Sequence, residues 1–123
     1  MKLPEAIIGQ QFKIEEQLQA ACTQWFHNTY YLERGMLHMN DNNSYNRIEG
    51  NRKKAMGVVS GVSDLELISD GGVVWFIELK LPEGKQSDVQ IDFMNKCRTR
   101  GHIYVLIYSL EQFKYLIKEI IGH

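Results

Sequence analysis

Three residues near the middle of the chain carry the chemistry that this sequence can do: Asp64 in "GVSDLELIS", and Glu78 and Lys80 in "VVWFIELKLPEG". The second stretch reads as a strand bound for the core. Side chains alternate along a strand, so Val74, Phe76, Glu78 and Lys80 share one face, Val73, Trp75, Ile77 and Leu79 share the other, and the Leu79 carbonyl lies between the two charges. A carboxylate in apolar surroundings resists ionisation unless a lysine or a metal ion stands near it. If "SDGG" turns the chain back as a hairpin, Asp64 becomes a cross-strand neighbour of Glu78. Two adjacent carboxylates repel, and a hard divalent cation relieves that repulsion. Mg2+ takes one or two carboxylates plus waters and phosphate oxygens, and the Leu79 carbonyl is a further oxygen within this set. The plain alternative is a surface ion pair at a strand end, with Asp64 merely opening a turn.

The elements that must position these residues can be read from periodicity. From about Gln11 to Asn28, Ile14, Leu18, Cys22, Trp25 and Phe26 recur at the spacing of one helical face. "GMLHMN" follows as a short strand. The polar, Asn-rich run from Asn40 to Lys54 reads as a long loop with one helical turn near Arg52 to Met56. "GVSDLELIS" and "GVVWFIELKL" form the hairpin, and "SDVQIDFMNKCRTRG" a helix that stops at Gly101. "HIYVLIY" is a strand covered on both faces. The last helix follows a Ser109/Gln112 capping box and presents Leu110, Phe113, Leu116, Ile117 and Ile120 on one side. A hairpin makes part of the sheet antiparallel while a crossover helix returns a parallel strand, so the expected fold is α+β, a mixed β-sheet flanked by helices.

The bulk properties narrow the classes. A chain of 123 residues with 44% apolar and 24% charged residues is one soluble-type domain. No run approaches the roughly 18 apolar residues of a membrane span, and no secretory leader pattern opens the chain, so no membrane association and a cytoplasmic location are expected. Cys22 and Cys97 are too far apart for a thiolate metal motif and fit core positions. The net charge of -1 argues against coating nucleic acid by bulk electrostatics. Locally, however, Arg47, Arg52, Lys53 and Lys54 form one basic cluster and Lys96, Arg98 and Arg100 another; each is either a phosphate-binding surface or an ordinary solvated face.

Asp64, then Glu78-Leu79-Lys80, then a helix containing Gln90 resembles the PD-(D/E)XK nuclease pattern, and more narrowly the VRR-NUC (virus-type replication-repair nuclease) family. The likeness extends over most of the chain, since "IEEQLQAACTQWF" is similar to that family's acidic opening helix. One departure is that Ser63 stands before Asp64 where the family usually has proline. The resemblance implies a restriction-endonuclease-like core of order α-β-β-β-α-β-α over residues 1–123, and an Mg2+- or Mn2+-dependent endonuclease that hydrolyses DNA phosphodiester bonds. It further implies that Asp64, Glu78, the Leu79 carbonyl and a glutamate of the first helix hold the metal, and that Lys80 orients the attacking water or stabilises charge on phosphorus. Glu15, at the margin of the apolar face, is preferred over Glu16 for the helix glutamate. Gln90 either stands near the metal or simply closes a Ser87-x-x-Gln90 capping box, and both roles are compatible. His38, Asn40, Asn42 and Arg52, with Lys53 and Lys54 beside them, would touch the DNA backbone. The expected setting is phage replication or repair in the host cytoplasm, with branched or Holliday-junction DNA as substrate and a homodimer to cut both strands. A binding module with the same fold but no chemistry is the alternative.

Overall fold

A computed structural model of the protein describes residues 3, 12–41 and 46–122; Asn42 lies outside the described residues. Helix α1 (Glu15–Thr29) leads through a 3-10 helix (Tyr31–Met36) into strand β1 (Leu37–Met39). Helix α2 (Arg47–Ala55) precedes β2 (Leu65–Ser69), a 3-10 turn (Asp70–Gly72) and β3 (Val73–Leu79). Helix α3 (Asp88–Thr99), strand β4 (Ile103–Ile107) and helix α4 (Leu110–Ile121) complete the chain. The strands lie in sequence order, antiparallel from β1 to β3 and parallel between β3 and β4. This is the expected α+β fold, a mixed sheet with helices packed on it. Among the described residues no helix is long and apolar enough to cross a membrane.

The two faces of the sheet have different partners. On one, Leu65, Leu67, Ile77, Leu79 and Ile107 meet Leu18, Cys22 and Phe26 of α1 and Phe113, Leu116 and Ile117 of α4 in the main core. Full burial of each large aliphatic or aromatic side chain contributes about 1.5–3 kcal/mol, so this face dominates stability. Cys22 belongs to it, with its thiol pushed up to about 12 chiefly by burial, and is an inert packing group as its place in the helix pattern suggests. On the other face, Phe93 of α3 meets Phe76 and Tyr104 edge-on, each at 6.0 Å. Glu78 belongs to this second, more polar face.

The hairpin follows the sequence signal. Gly71 and Gly72 turn with φ of 78° and 74°, a left-handed backbone that glycine adopts without steric cost. The turn fixes the register Leu65↔Ile77 through Ser69↔Val73. At the β4 edge, Arg98 Nη2 donates to the Tyr104 carbonyl at 3.1 Å.

Helix α2 corrects the reading of residues 40–54 as a loop with one turn near Arg52 to Met56, and adds a helix to the expected element order. Asn46 caps it by accepting the Glu49 N–H at 2.8 Å. None of its residues is buried, so no apolar stripe announces it. The Ser109 cap also differs in detail. Ser109 accepts the Gln112 N–H, but Gln112 Oε1 accepts from Tyr108 N–H at 2.8 Å instead of from Ser109.

Gly61, in the segment between α2 and β2, locks that segment onto α3. Its φ is 86°, and a Cβ placed there would lie 2.5 Å from the Val89 carbonyl oxygen. A Gly61→Ala variant is therefore expected to lose about 1–3 kcal/mol of stability. Urea unfolding should register this as a lower midpoint with an unchanged slope.

Candidate active site

The β2–β3 register puts Asp64 opposite Glu78, one step beyond its last paired residues, Leu65 and Ile77. Instead of continuing the ladder, Asp64 turns its side chain inward and Oδ2 accepts the Leu79 N–H at 2.6 Å. This contact replaces the backbone partner that β3 would otherwise lose where β2 begins. A strand residue sends its N–H and C=O to the same edge, so the Leu79 carbonyl also opens toward Asp64. Asn40, just after β1, braces the arrangement. Its N–H donates to the Asp64 carbonyl at 2.9 Å, and its side-chain amide donates to the Ser63 carbonyl at 2.9 Å and to Glu66 Oε1 at 3.1 Å.

Glu78 is fully buried. Its Oε1 accepts from the Tyr104 hydroxyl and from Gln86 Nε2, the latter at 3.0 Å. Its Oε2 is buried with no hydrogen-bond partner, and the Lys80 ammonium lies 3.9 Å away. That separation permits Coulomb attraction but exceeds a hydrogen bond. Burial raises the Tyr104 phenol pKa, and the Glu78 hydrogen bond raises it further, so the hydroxyl remains a donor. The Asp64 carboxyl is also held above its ordinary value, first by burial and then by the negative charges of Glu78 and Glu15; the Leu79 N–H and Lys80 act in the opposite direction.

Among the described residues no set of three or more His, Cys, Asp or Glu side chains is gathered closely enough to hold a metal ion. The Asp64 and Glu78 carboxylates lie near enough to interact electrostatically, the Leu79 carbonyl opens toward Asp64, and Glu78 Oε2 is buried without a hydrogen-bond donor. This donor set fits a hard divalent cation that draws the rest of its shell from water and phosphate, which is the habit of Mg2+. Glu15 is exposed at the start of α1 yet acts electrostatically on Asp64. Glu16 instead lines a groove of about 500 Å³ with His27, His38 and Met39. Of the two helix glutamates, Glu15 is the one whose charge reaches Asp64.

The remaining anticipated residues are distributed elsewhere. Gln90 closes the α3 capping box: Ser87 Oγ accepts its N–H, and its Oε1 accepts the Ser87 N–H at 2.8 Å. Its Oε1 is thereby engaged in the cap. Lys53 is held by Asp41 at 3.0 Å and Glu49 at 3.6 Å. Arg52 and Lys54 are exposed on α2, and His38 is exposed on β1. Sequence reasoning missed Gln86 and Tyr104. The available signal was position: Gln86 lies just before the Ser87 cap, where the chain must pass back over the end of β3, and Tyr104 stands beside Phe76 in the parallel register.

No family profile matches the sequence, and no curated protein shows significant similarity to it. Solved structures do match. A "VRR_NUC domain protein" superposes with a TM-score of 0.74 at 18% identity, covering 92% of each chain. A second, titled "VRR_NUC domain", gives 0.57 at 25% identity over 85% of this chain and 94% of the other.

The Asp64 shift has a consequence for stability. The folded protein holds the Asp64 proton more tightly than the unfolded chain, so the cost of this carboxylate is fully present above its folded pKa and disappears as pH falls to the ordinary value of 3.8. An Asp64→Asn variant keeps an acceptor for the Leu79 N–H and is expected to melt about 3 °C above the metal-free parent at pH 7.5. The gain should vanish near pH 4, as followed by circular dichroism. From the element order, sheet topology and near-complete coverage of both matched structures, the chain has the VRR-NUC domain fold.

Proposed function

We propose that this protein is a divalent-metal-dependent endonuclease that hydrolyses phosphodiester bonds in DNA. The observation that carries the reading is the meeting of Asp64, buried Glu78 and Lys80, with Glu78 Oε2 left without a hydrogen-bond donor. The matched VRR_NUC structures support a nuclease-family domain. Asp64, Glu78 and the Leu79 carbonyl would hold Mg2+ or Mn2+, with Glu15 at the rim. A cation bound there would lower the pKa of a coordinated water and neutralise charge on the scissile phosphate.

The chain's own groups supply the rest. Lys80 is 6% exposed, so its ammonium acts where water screens it poorly and can orient the attacking water or stabilise charge developing on phosphorus. The Leu79 N–H fixes Asp64, and Asn40 fixes the segment that carries it. Gln90 contributes by closing the cap that starts α3. Exposed Arg52 and Lys54 on α2, with His38 on β1, would contact the DNA backbone. In this reading Lys53 supports α2 through its acidic partners, and Asn40 serves the site more than the DNA.

The finer proposal is that the substrate is branched or Holliday-junction DNA, cut during phage replication or repair in the bacterial cytoplasm. The described residues of one chain present one such site, so symmetrical cutting of two strands calls for a homodimer. Sedimentation in the micromolar range should find dimers, and a strict monomer would count against paired cutting. For the activity itself, linear duplex, single-stranded, flap and four-way-junction DNA should be offered with and without Mg2+. Cleavage should require the ion, favour branched substrates, and fall by about 100-fold or more in Glu78→Ala. Undiminished cleavage by that variant would overturn the proposal.

A further inference from the structure

Glu78 has two chemically equivalent oxygens, but the fold treats them differently. Tyr104 on β4 and Gln86 in the segment before α3 both donate to Oε1, while Oε2 is buried with no hydrogen-bond donor. A carboxylate placed only for stability would have both oxygens satisfied, because an unmet buried acceptor is costly. The arrangement instead saturates one oxygen and keeps the other bare on the side of Lys80.

Both donors are themselves held in place. The Tyr104 ring meets Phe93 edge-on, and Arg98 holds its backbone carbonyl. Gln86 Nε2 spans Glu78 and Met94 Sδ, at 3.0 Å and 3.5 Å. Turning the Gln86 amide over would point its oxygen at a carboxylate, so only the donor end can face Glu78. The two donors come from different elements, and together they oppose rotation of the carboxylate about its final torsion.

We propose that Tyr104 and Gln86 are positioning residues that commit Glu78 Oε2, and not Oε1, to a divalent cation. The inference rests on the metal-dependent reading above and adds to it the device that orients the ligand. Ligands of metal ions depend on such outer partners, whose loss typically weakens binding by about 10–100-fold.

The test is Mn2+ titration of the full chain, with free ion counted by electron paramagnetic resonance, alongside melting of the metal-free protein. Tyr104→Phe and Gln86→Met each remove the donor while keeping the bulk. Each is expected to weaken Mn2+ binding by about tenfold, well beyond any change attributable to unfolded protein at the titration temperature. If the two residues only stabilise the fold, melting temperatures will drop while Mn2+ affinity stays at the parent value, and the inference is overturned. Should Tyr104→Phe fail to fold, Gln86→Met decides in the same way. Failure of the parent protein to take up Mn2+ overturns the metal-dependent reading together with this inference. Uptake that Glu78→Gln abolishes, but that neither Tyr104→Phe nor Gln86→Met weakens, overturns this inference alone.

Discussion

An ionisable group cut off from water must find its compensation inside the protein, and Glu78 finds only part of it. Two donors satisfy one oxygen, while a lysine 3.9 Å from the other supplies attraction without a hydrogen bond. The rest of the site is arranged around this incomplete compensation. The hairpin register brings Asp64 opposite Glu78, the parallel ladder brings Tyr104 beside it, and the return of the chain toward α3 brings Gln86 over it. The first two are long-range contacts and the third spans eight residues, so the site is complete only once the sheet is assembled.

The sheet separates the main core from the candidate site by face. Apolar side chains of β2, β3 and β4 point toward α1 and α4 and form the main core, which tolerates no charge. The opposite face holds Phe76 and Tyr104 against α3 and gives way to polar groups toward the end of β3. Alternation along one strand is enough to do this: Ile77 and Leu79 anchor β3 while Glu78, between them, faces the site. The cost of burying Glu78 is therefore carried by an element whose other side is firmly packed.

Much of this was legible in the sequence because it depends on local rules. "SDGG" marks the turn, period-two alternation assigns the faces of β3, and the two together place Asp64 against Glu78. The Ser87 and Ser109 caps and the helices behind them follow equally local signals. Helix α2 escaped because it buries nothing and so has no apolar stripe, although Asn46 followed by Glu49 was a capping signature. Gln86, Tyr104 and the bracing role of Asn40 escaped for a different reason. A polar side chain's partner is set by tertiary placement, and spacing along the chain does not encode which carboxylate an amide or phenol will meet. The same holds for Lys53, whose basic neighbourhood suggested phosphate while Asp41 and Glu49 claim it.

The bond from Arg98 to the Tyr104 carbonyl bears on how this domain meets other chains. Ile107 accepts from Lys80 and so faces β3; by alternation the Tyr104 carbonyl points to the outer margin of the sheet, where the guanidinium covers it. A strand margin closed by a bulky cation is a poor template for adding a foreign strand, which protects the domain from edge-to-edge aggregation. The opposite margin, β1, is only three residues long. Sheet extension is thereby disfavoured at both margins, leaving β2 and β3 in the interior of the sheet.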